Sequence, residues 1–286
     1  MDMERPDNVM TLSPLVRRVL ADNPSMFTYW GTQSYIVGAG ADVAVIDPGP
    51  DIDSHLDALR AAIGDVPVRA ILCTHTHRDH SPASRILARE TGAPIIGCAP
   101  LVLDDNGPRA DASFDADYVP DHVLADGEAV RGDGWTLVAV ATPGHTSNHL
   151  CFALPEEQAL FSGDHVMGWS TTVVSPPDGD MAAYMASLDK LMARDDQVYY
   201  PAHGDPVEAP QRFVRGLAGH RKQREGQILR LLGQAPQAIP EMVLKMYVGV
   251  DPKLHGAAGR SVLAHLIDLE TRGMVTRNEE AWRLVA

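Results

Sequence analysis

The chain reads as an α/β protein, a layered sandwich of sheets and helices followed by a small domain of three helices and a hairpin. Three observations predict this. Short apolar runs alternate with helically spaced segments along residues 35–203. Four of those runs end in His or Asp beside Gly or Pro. Beyond about residue 210 the order becomes helix, helix, helix, hairpin.

Each element has its own warrant. Tyr35-Ile36-Val37-Gly38 and Asp42-Val43-Ala44-Val45-Ile46 form a hairpin across Gly38-Ala39-Gly40-Ala41. Leu56, Leu59 and Ile63 are spaced as one face of a helix over Asp53 to Ile63. Val68 to Cys73 reads as a buried strand, and Ser81-Pro82 as the N-cap and first residue of a helix. Pro94 to Cys98 starts another strand, and Thr136–Ala141, Ala159–Gly163 and Gln197–Ala202 are three more. In the tail, one helix begins near Gln211 and continues through Leu232, a second runs from Pro240 to Tyr247, and a third from Ala257 to Thr271. Met274–Arg277 and Ala281–Val285 then flank Asn278-Glu279-Glu280 as a hairpin, which completes the order of a winged helix. The expected division is 1–212 for a catalytic domain and 213–286 for a connecting helix and winged-helix-like domain.

The most informative run is Thr74-His75-Thr76-His77-Arg78-Asp79-His80, directly after the Val68–Cys73 strand. Residues two apart in an extended segment share a face, so His75 and His77 can grip one ion together. Asp79 and His80 are left free for a second. Imidazole and carboxylate suit zinc and, less selectively, manganese, iron or cobalt. A plain solvated loop would explain one such run. It does not explain why His145, Asp164 and His203 also stand just past short apolar strands.

These residues resemble the metallo-β-lactamase superfamily over about residues 14–210, with H-x-H-x-D-H followed in order by a later His, Asp and His. The resemblance implies an αββα sandwich with two divalent metal ions, zinc first among them, at one sheet edge. By that resemblance His75, His77 and His145 hold the first ion, Asp79, His80 and His203 the second, and Asp164 bridges them. Asp47 falls where the family often has a supporting carboxylate, and an ordinary turn residue is an equal reading. His77 stands where the flavodiiron branch carries Glu, and Asp164 where the best-known true β-lactamases carry Cys. The segment after Asp164 does not continue as in glyoxalase II. The short interval from Asp164 to His203 leaves no room for the extra domain of the large RNA-processing nucleases.

Further segments resemble the lactamase-beta-2-like group, namely Asn23-Pro24-Ser25, Gly31-Thr32, Gly163 to Gly168, Ser170 to Val173, and His220-Arg221 with Arg224-Glu225. Members of that group are implicated in single-stranded RNA cleavage, and fungal relatives in thioester hydrolysis on carrier-bound polyketides. Gln33-Ser34 departs from the group's Asn-Thr, which bears on substrate contacts. His149 and His165 match positions near the metals, where the alternative is a supporting role. Thr171 and Thr172 either line the cleft or cap a turn.

The chemistry such a centre offers is nucleophile generation, because a divalent ion lowers the pKa of bound water from about 16 to about 7. Asp79 is the candidate for orienting that hydroxide and moving its proton, beside its ligand role. No serine triad competes, since Ser162-Gly163-Asp164 lacks the glycine two residues before the serine.

Composition narrows the setting. A chain of 286 residues with 45% apolar content can bury a full domain and a small one. Residues 1–7 hold no apolar signal core and no long apolar stretch follows, so a cytoplasmic protein without a membrane span is expected. Cys73, Cys98 and Cys151 have no C-x-x-C spacing and read as buried thiols of a reducing compartment. The net charge is −14, concentrated in residues 1–214, whereas 215–286 is mildly basic. An acidic body disfavours generic nucleic-acid binding, and acidic Glu279-Glu280 in the wing favours a tail that packs and walls the cleft. A homodimer through the tail or a sandwich face is permitted without being demanded. The resulting expectation is a two-metal hydrolase, first as an endoribonuclease on single-stranded RNA. The alternative is a thioesterase or lactonase on a small acyl substrate, and a non-catalytic metal-binding protein comes last.

Overall fold

Alternate residues along each central strand feed two different cores, and that period of two builds the layers. The computed structural model describes residues 5–101, 114–278 and 281–285. Among these, the first sheet contains β1 (Val9–Thr11), β2 (Val16–Leu20), β3 (Gln33–Val37), β4 (Val43–Ile46), β5 (Val68–Cys73), β6 (Ile95–Gly97) and β7 (His122–Val123), in that spatial order. It is antiparallel as far as β4 and parallel from β4 to β7. The second sheet contains β8 (Ala129–Gly132), β9 (Trp135–Ala141), β10 (Leu150–Leu154), β11 (Ala159–Gly163) and β12 (Val198–Pro201), with only the β11–β12 pair parallel.

Ala44 and Ile46 of β4, Ala70 and Leu72 of β5, and Leu150, Phe152 and Leu154 of β10 meet in the central core between the sheets. Val43, Val45 and Ile71 face the other way, onto α1 (Asp53–Ile63) and α2 (Ala83–Thr91). Val140, Cys151 and Ala153 face α3 (Met181–Met192) and α4 (Pro210–Leu232). The result is helix, sheet, sheet, helix, as expected. The three cysteines are free and buried, and burial pushes the Cys151 thiol up to about 12, which disfavours a catalytic thiolate.

The tail adds α5 (Ile239–Met246), α6 (His255–Thr271) and the hairpin β13 (Val275–Asn278) with β14 (Ala281–Leu284). Ile228, Leu232, Met242, Val262, Leu266 and Trp282 form its core. Three helices and a hairpin give the winged-helix arrangement. Glu279 and Glu280 lie outside the described residues. The α4 helix is shared, since Val214, Leu217 and Ala218 pack on the sandwich while Ile228 and Leu232 pack in the tail. The expected division after residue 212 thus falls within the first turn of one continuous helix.

One local expectation changes. Helix α2 starts at Ala83 with Pro82 in the cap position, and no side chain caps it. The Ser81 hydroxyl donates instead to Asp115 Oδ2 at 3.0 Å, an oxygen that also accepts from Arg85 at 2.6 Å. A tertiary carboxylate has taken the local capping group.

Phe152→Ala removes a fully buried ring at the junction of the sheets, and a loss of about 3–5 kcal/mol is expected in denaturant unfolding at unchanged m-value.

Candidate functional site

Five strand ends meet at one edge of the sandwich. Asp47 follows β4, the run from Thr74 to His80 follows β5, and His145 follows β9. Asp164 follows β11 and His203 follows β12. Gly144 permits the close approach this requires. It has φ +141°, and a Cβ there would stand 2.3 Å from Tyr184 Cα on α3.

The side chains gather in two groups. In the first, His77 Nδ1 is 2.9 Å from His75 Nε2 and 3.1 Å from His145 Nε2. Asp164 Oδ2 completes it at 3.5 Å from His145 Nε2 and 3.9 Å from His75 Nε2. In the second, Asp79 Oδ2 lies 3.4 Å from His80 Nε2 and 3.3 Å from His203 Nε2. Asp164 Oδ1 is 3.5 Å from the same His80 atom and 3.2 Å from that of His203. One carboxylate thus offers an oxygen to each group. The five histidines and Asp164 are buried, so the plain solvated loop is excluded.

The outward ring nitrogens show what the inward ones are for. His145 Nδ1 donates to Val173 O at 2.6 Å and His203 Nδ1 to Gly31 O at 3.2 Å. His75 Nδ1 donates to Thr74 Oγ1 at 3.0 Å, and His80 Nδ1 to Asp47 Oδ2 at 3.0 Å. Carbonyl and carboxylate oxygens cannot donate, and the Thr74 hydroxyl spends its proton on Asp47, so these Nδ1 atoms carry a proton and Nε2 is left as the inward, ligand position. His80 Nε2 and Asp164 Oδ1 are buried with no hydrogen-bond partner. Converging lone pairs repel unless a cation or proton lies between them. The donor set, imidazole nitrogens with carboxylate oxygens in groups of four and three spanning at most 4.8 Å, fits two divalent ions.

Without metal, protons occupy part of this role. Burial opposes charge on His203, but Asp164 and Asp79 overcome it and lift its pKa to about 10. His80 is likewise raised against burial, by Asp79, Asp164 and Asp47. Burial alone would raise the Asp79 and Asp164 carboxyls, and the neighbouring His80 and His203 hold both well below the usual range. His75 moves the other way, held neutral by burial and by His80 and His77.

The surrounding residues hold this cluster in place. Asp47 accepts from Thr74 N and Thr74 Oγ1, both at 2.7 Å, as well as from His80 Nδ1. Its φ of +45° is a conformation that aspartate tolerates and few other residues do. Thr32 Oγ1 donates to Asp79 Oδ2 at 2.9 Å and is itself held by Asn23 Nδ2 at 2.9 Å. His149 accepts from Asp164 N at 3.2 Å and so holds backbone. His165 is fully buried next to Tyr184, with a pKa lowered by burial to about 3. Thr171 lines the cleft, whereas the Thr172 hydroxyl donates to Asp164 O at 2.7 Å. Gln33 and Ser34 do not line it. Gln33 Nε2 donates to Pro201 O and Gly204 O on either side of His203, and Ser34 bonds His55.

Over the cluster opens a cleft of about 200 Å³ walled by Met26, Phe27, Met167, Trp169, Leu254 and Ala257, with His77, Asp79, His145, Asp164 and His203 at its floor. Trp169 stacks on Tyr29 at 4.9 Å between centroids. Sequence reasoning missed Met26, Phe27, Leu254 and Ala257 as cleft residues. They come from segments far apart in the chain and carry no periodic signal.

Comparison with known proteins agrees with this geometry. Residues 28–203 match the metallo-beta-lactamase superfamily model, and residues 238–282 the beta-lactamase associated winged helix domain. Atrochrysone carboxyl ACP thioesterases of Cryptosporiopsis sp. (strain 8999) and Aspergillus novofumigatus are 33% and 34% identical over 79% and 80% of this chain. The matched chain spans 66% of the length of each. A beta-lactamase domain protein from Burkholderia ambifaria superposes with a TM-score of 0.81 at 20% identity, covering 97% of this chain and 93% of the other.

Two outcomes follow from the cluster. Asp47→Asn is expected to weaken metal binding about 10–100-fold in chelator competition, because an amide NH2 replaces one of the two oxygens that together accept from Thr74 N, Thr74 Oγ1 and His80 Nδ1. Metal uptake at pH 7 is expected to release protons, since Asp164 and Asp79 raise the His203 pKa and favour its charged form in the metal-free protein. Affinity therefore falls as pH falls, which titration calorimetry in buffers of different ionisation enthalpy measures.

Proposed function

The chain belongs to the metallo-β-lactamase superfamily, and from that premise we propose that it is a two-metal hydrolase of acyl thioesters with zinc as its resident metal. In this reading His75, His77 and His145 would hold one ion, Asp79, His80 and His203 would hold the other, and Asp164 offers an oxygen to each group. Neutral imidazoles with few carboxylates favour zinc over magnesium or calcium, which prefer oxygen. Divalent ions held there would supply a nucleophilic water at neutral pH and Lewis acidity toward the scissile carbonyl.

The protein's own groups do the remaining work. Asp79 lines the cleft and is fixed through Oδ2 by Thr32, so it can hold the attacking water and take its proton. Met26, Phe27, Met167 and Trp169 form an apolar wall that takes the acyl chain and excludes bulk water. The thiol leaves carrying one proton, and the carboxylic acid is the other product.

The observation that carries this reading is the apolar cleft directly over the cluster. Single-strand RNA binding instead needs a cationic groove that follows the backbone, with bases stacked on aromatic rings. The mildly basic tail, which could have contacted RNA, contributes Leu254 and Ala257 to the cleft wall. The thioesterase names of the relatives favour the acyl reading. The complete donor set weighs against a non-catalytic protein.

The test assays an acyl-N-acetylcysteamine thioester and an end-labelled single-stranded RNA with wild type and Asp164→Asn, with metal content measured in both. Thioester turnover by wild type, lowered roughly a hundredfold or more in the variant together with its metal, is expected. RNA cleavage by wild type alone, with the thioester untouched, would replace this reading with the phosphodiesterase. Full metal occupancy with normal turnover in Asp164→Asn would remove the shared-ligand assignment.

A further inference from the structure

We propose that a second cavity, opening beside the metal cleft and lined by His220, Arg221, Arg224, Tyr247 and Ser261, is a subsite for an oxyanion carried by the substrate. This rests on the thioester reading and specifies which thioesters are preferred. The cavity measures about 260 Å³ and has no Asp or Glu among its lining residues. Ser170, Thr171, Val173, Leu254 and Ala257 line both spaces, so one substrate can occupy the two.

The two arginines of this cavity lack a counter-charge among its lining residues. Arg221 is 4% exposed, and its guanidinium donates to Thr172 O and to Ser261 Oγ at 3.2 Å. It lies 5.2 Å from the Tyr184 ring centroid. Arg224 lies 4.4 Å over the Tyr247 ring and donates to Met246 O and Gln227 Oε1, both at 2.9 Å. Among the described residues neither arginine has a carboxylate within ion-pair distance. On the same tail Arg272 is held by both Glu225 and Asp268. Buried arginines are ordinarily paired, and leaving one unpaired is costly. Here a buried Arg221 and a half-buried Arg224 stand side by side in a protein whose net charge is −14.

Their neighbour is also unsatisfied. His220 Nδ1 is buried with no hydrogen-bond partner. Burial, with Arg221 and Arg224 beside it, holds the imidazole pKa below its ordinary value. An arriving anion offsets the two guanidinium charges and supplies an acceptor for the ring. Planar guanidinium forks suit phosphate and carboxylate oxygens. A thioester can bring such a group from either side of its scissile bond, as a phosphate on the thiol arm or as a carboxylate on the acyl chain. Both ligands present the same chemistry to the cavity.

Two matched substrate pairs separate these sources. One is acyl-pantetheine with and without its 4′-phosphate, and the other is butyryl- and succinyl-N-acetylcysteamine. Wild type is expected to show a KM on the order of tenfold lower for the charged member of one pair. Arg224→Gln and His220→Gln should each erase that preference, and Arg224→Lys should recover part of it. The pair affected names the source. Calorimetric titration of the metal-loaded protein with inorganic phosphate gives a readout that needs no turnover. Phosphate binding that is lost in Arg224→Gln supports the subsite even where no thioester is cleaved, in which case the thioester reading alone fails. Equal preference and equal phosphate binding in wild type and both neutral variants overturns the subsite. So does a steeply salt-dependent loss of single-stranded RNA binding in Arg224→Gln with both thioester pairs unaffected. Melting temperature and metal content of each variant show whether it is folded, and His220→Gln decides the matter where Arg224→Gln is not.

Discussion

The centre depends on one constraint: imidazoles that converge must each be held from behind. Val173 O, Gly31 O, Thr74 Oγ1 and Asp47 take the outward protons, and these acceptors come from four different segments of the chain. Each is a backbone or side-chain group fixed by the fold around it. The lone pairs are therefore aimed inward before any metal arrives, and the repulsion among them is built into the fold. That repulsion is tolerable because two carboxylates share the space and draw protons onto His80 and His203. Folding thus leaves the site charged with protons that a metal displaces.

Asp47 ties the most together. Its two oxygens pin the backbone and hydroxyl of Thr74 and the ring of His80, at the start and end of the ligand run. The β4 and β5 strands are parallel neighbours, so their ends present Asp47 and Thr74 side by side. Parallel pairing, which exists because α1 crosses over between the strands, is what places a carboxylate behind the histidines. The three hydrogen bonds Asp47 accepts, from Thr74 N, Thr74 Oγ1 and His80 Nδ1, go beyond what a turn residue needs.

Much of this was legible in the sequence because local signals and tertiary need agreed. Leu56, Leu59 and Ile63 mark α1 and bury its face, and the apolar run before Thr74 marks β5. Where local signals were overruled the reading failed or was silent. Arg17 and Arg18 interrupt β2, although Arg18 is 3% exposed and donates to Asp7 O. The α3 helix follows a Pro- and Gly-rich stretch, and its one clear mark is Asp180, which accepts from Ala183 N. Ser81 resembled a cap until Asp115 claimed it. The His and Asp cluster was visible because its residue types are chemically distinctive. The apolar cleft wall was not, since Met26 or Leu254 looks like any other apolar residue until the fold brings it over the metals.

The winged-helix tail belongs to the centre by the same logic of support from behind. Arg221 on α4 donates to Thr172 O, and the Thr172 hydroxyl donates to the carbonyl of Asp164. Two hydrogen bonds therefore separate a tail-facing helix from the backbone of the carboxylate that both groups share. Arg260 on α6 reaches Ser175 Oγ at 3.1 Å along the same loop, and Ala264 packs into the sandwich's outer core. The loop from Asp164 to Ser175 is thus clamped between α3 and the tail, and it carries Met167, Trp169 and Thr171 into the cleft. These contacts tie the tail to the cleft, since a shift in this loop moves the cleft wall and the shared carboxylate together.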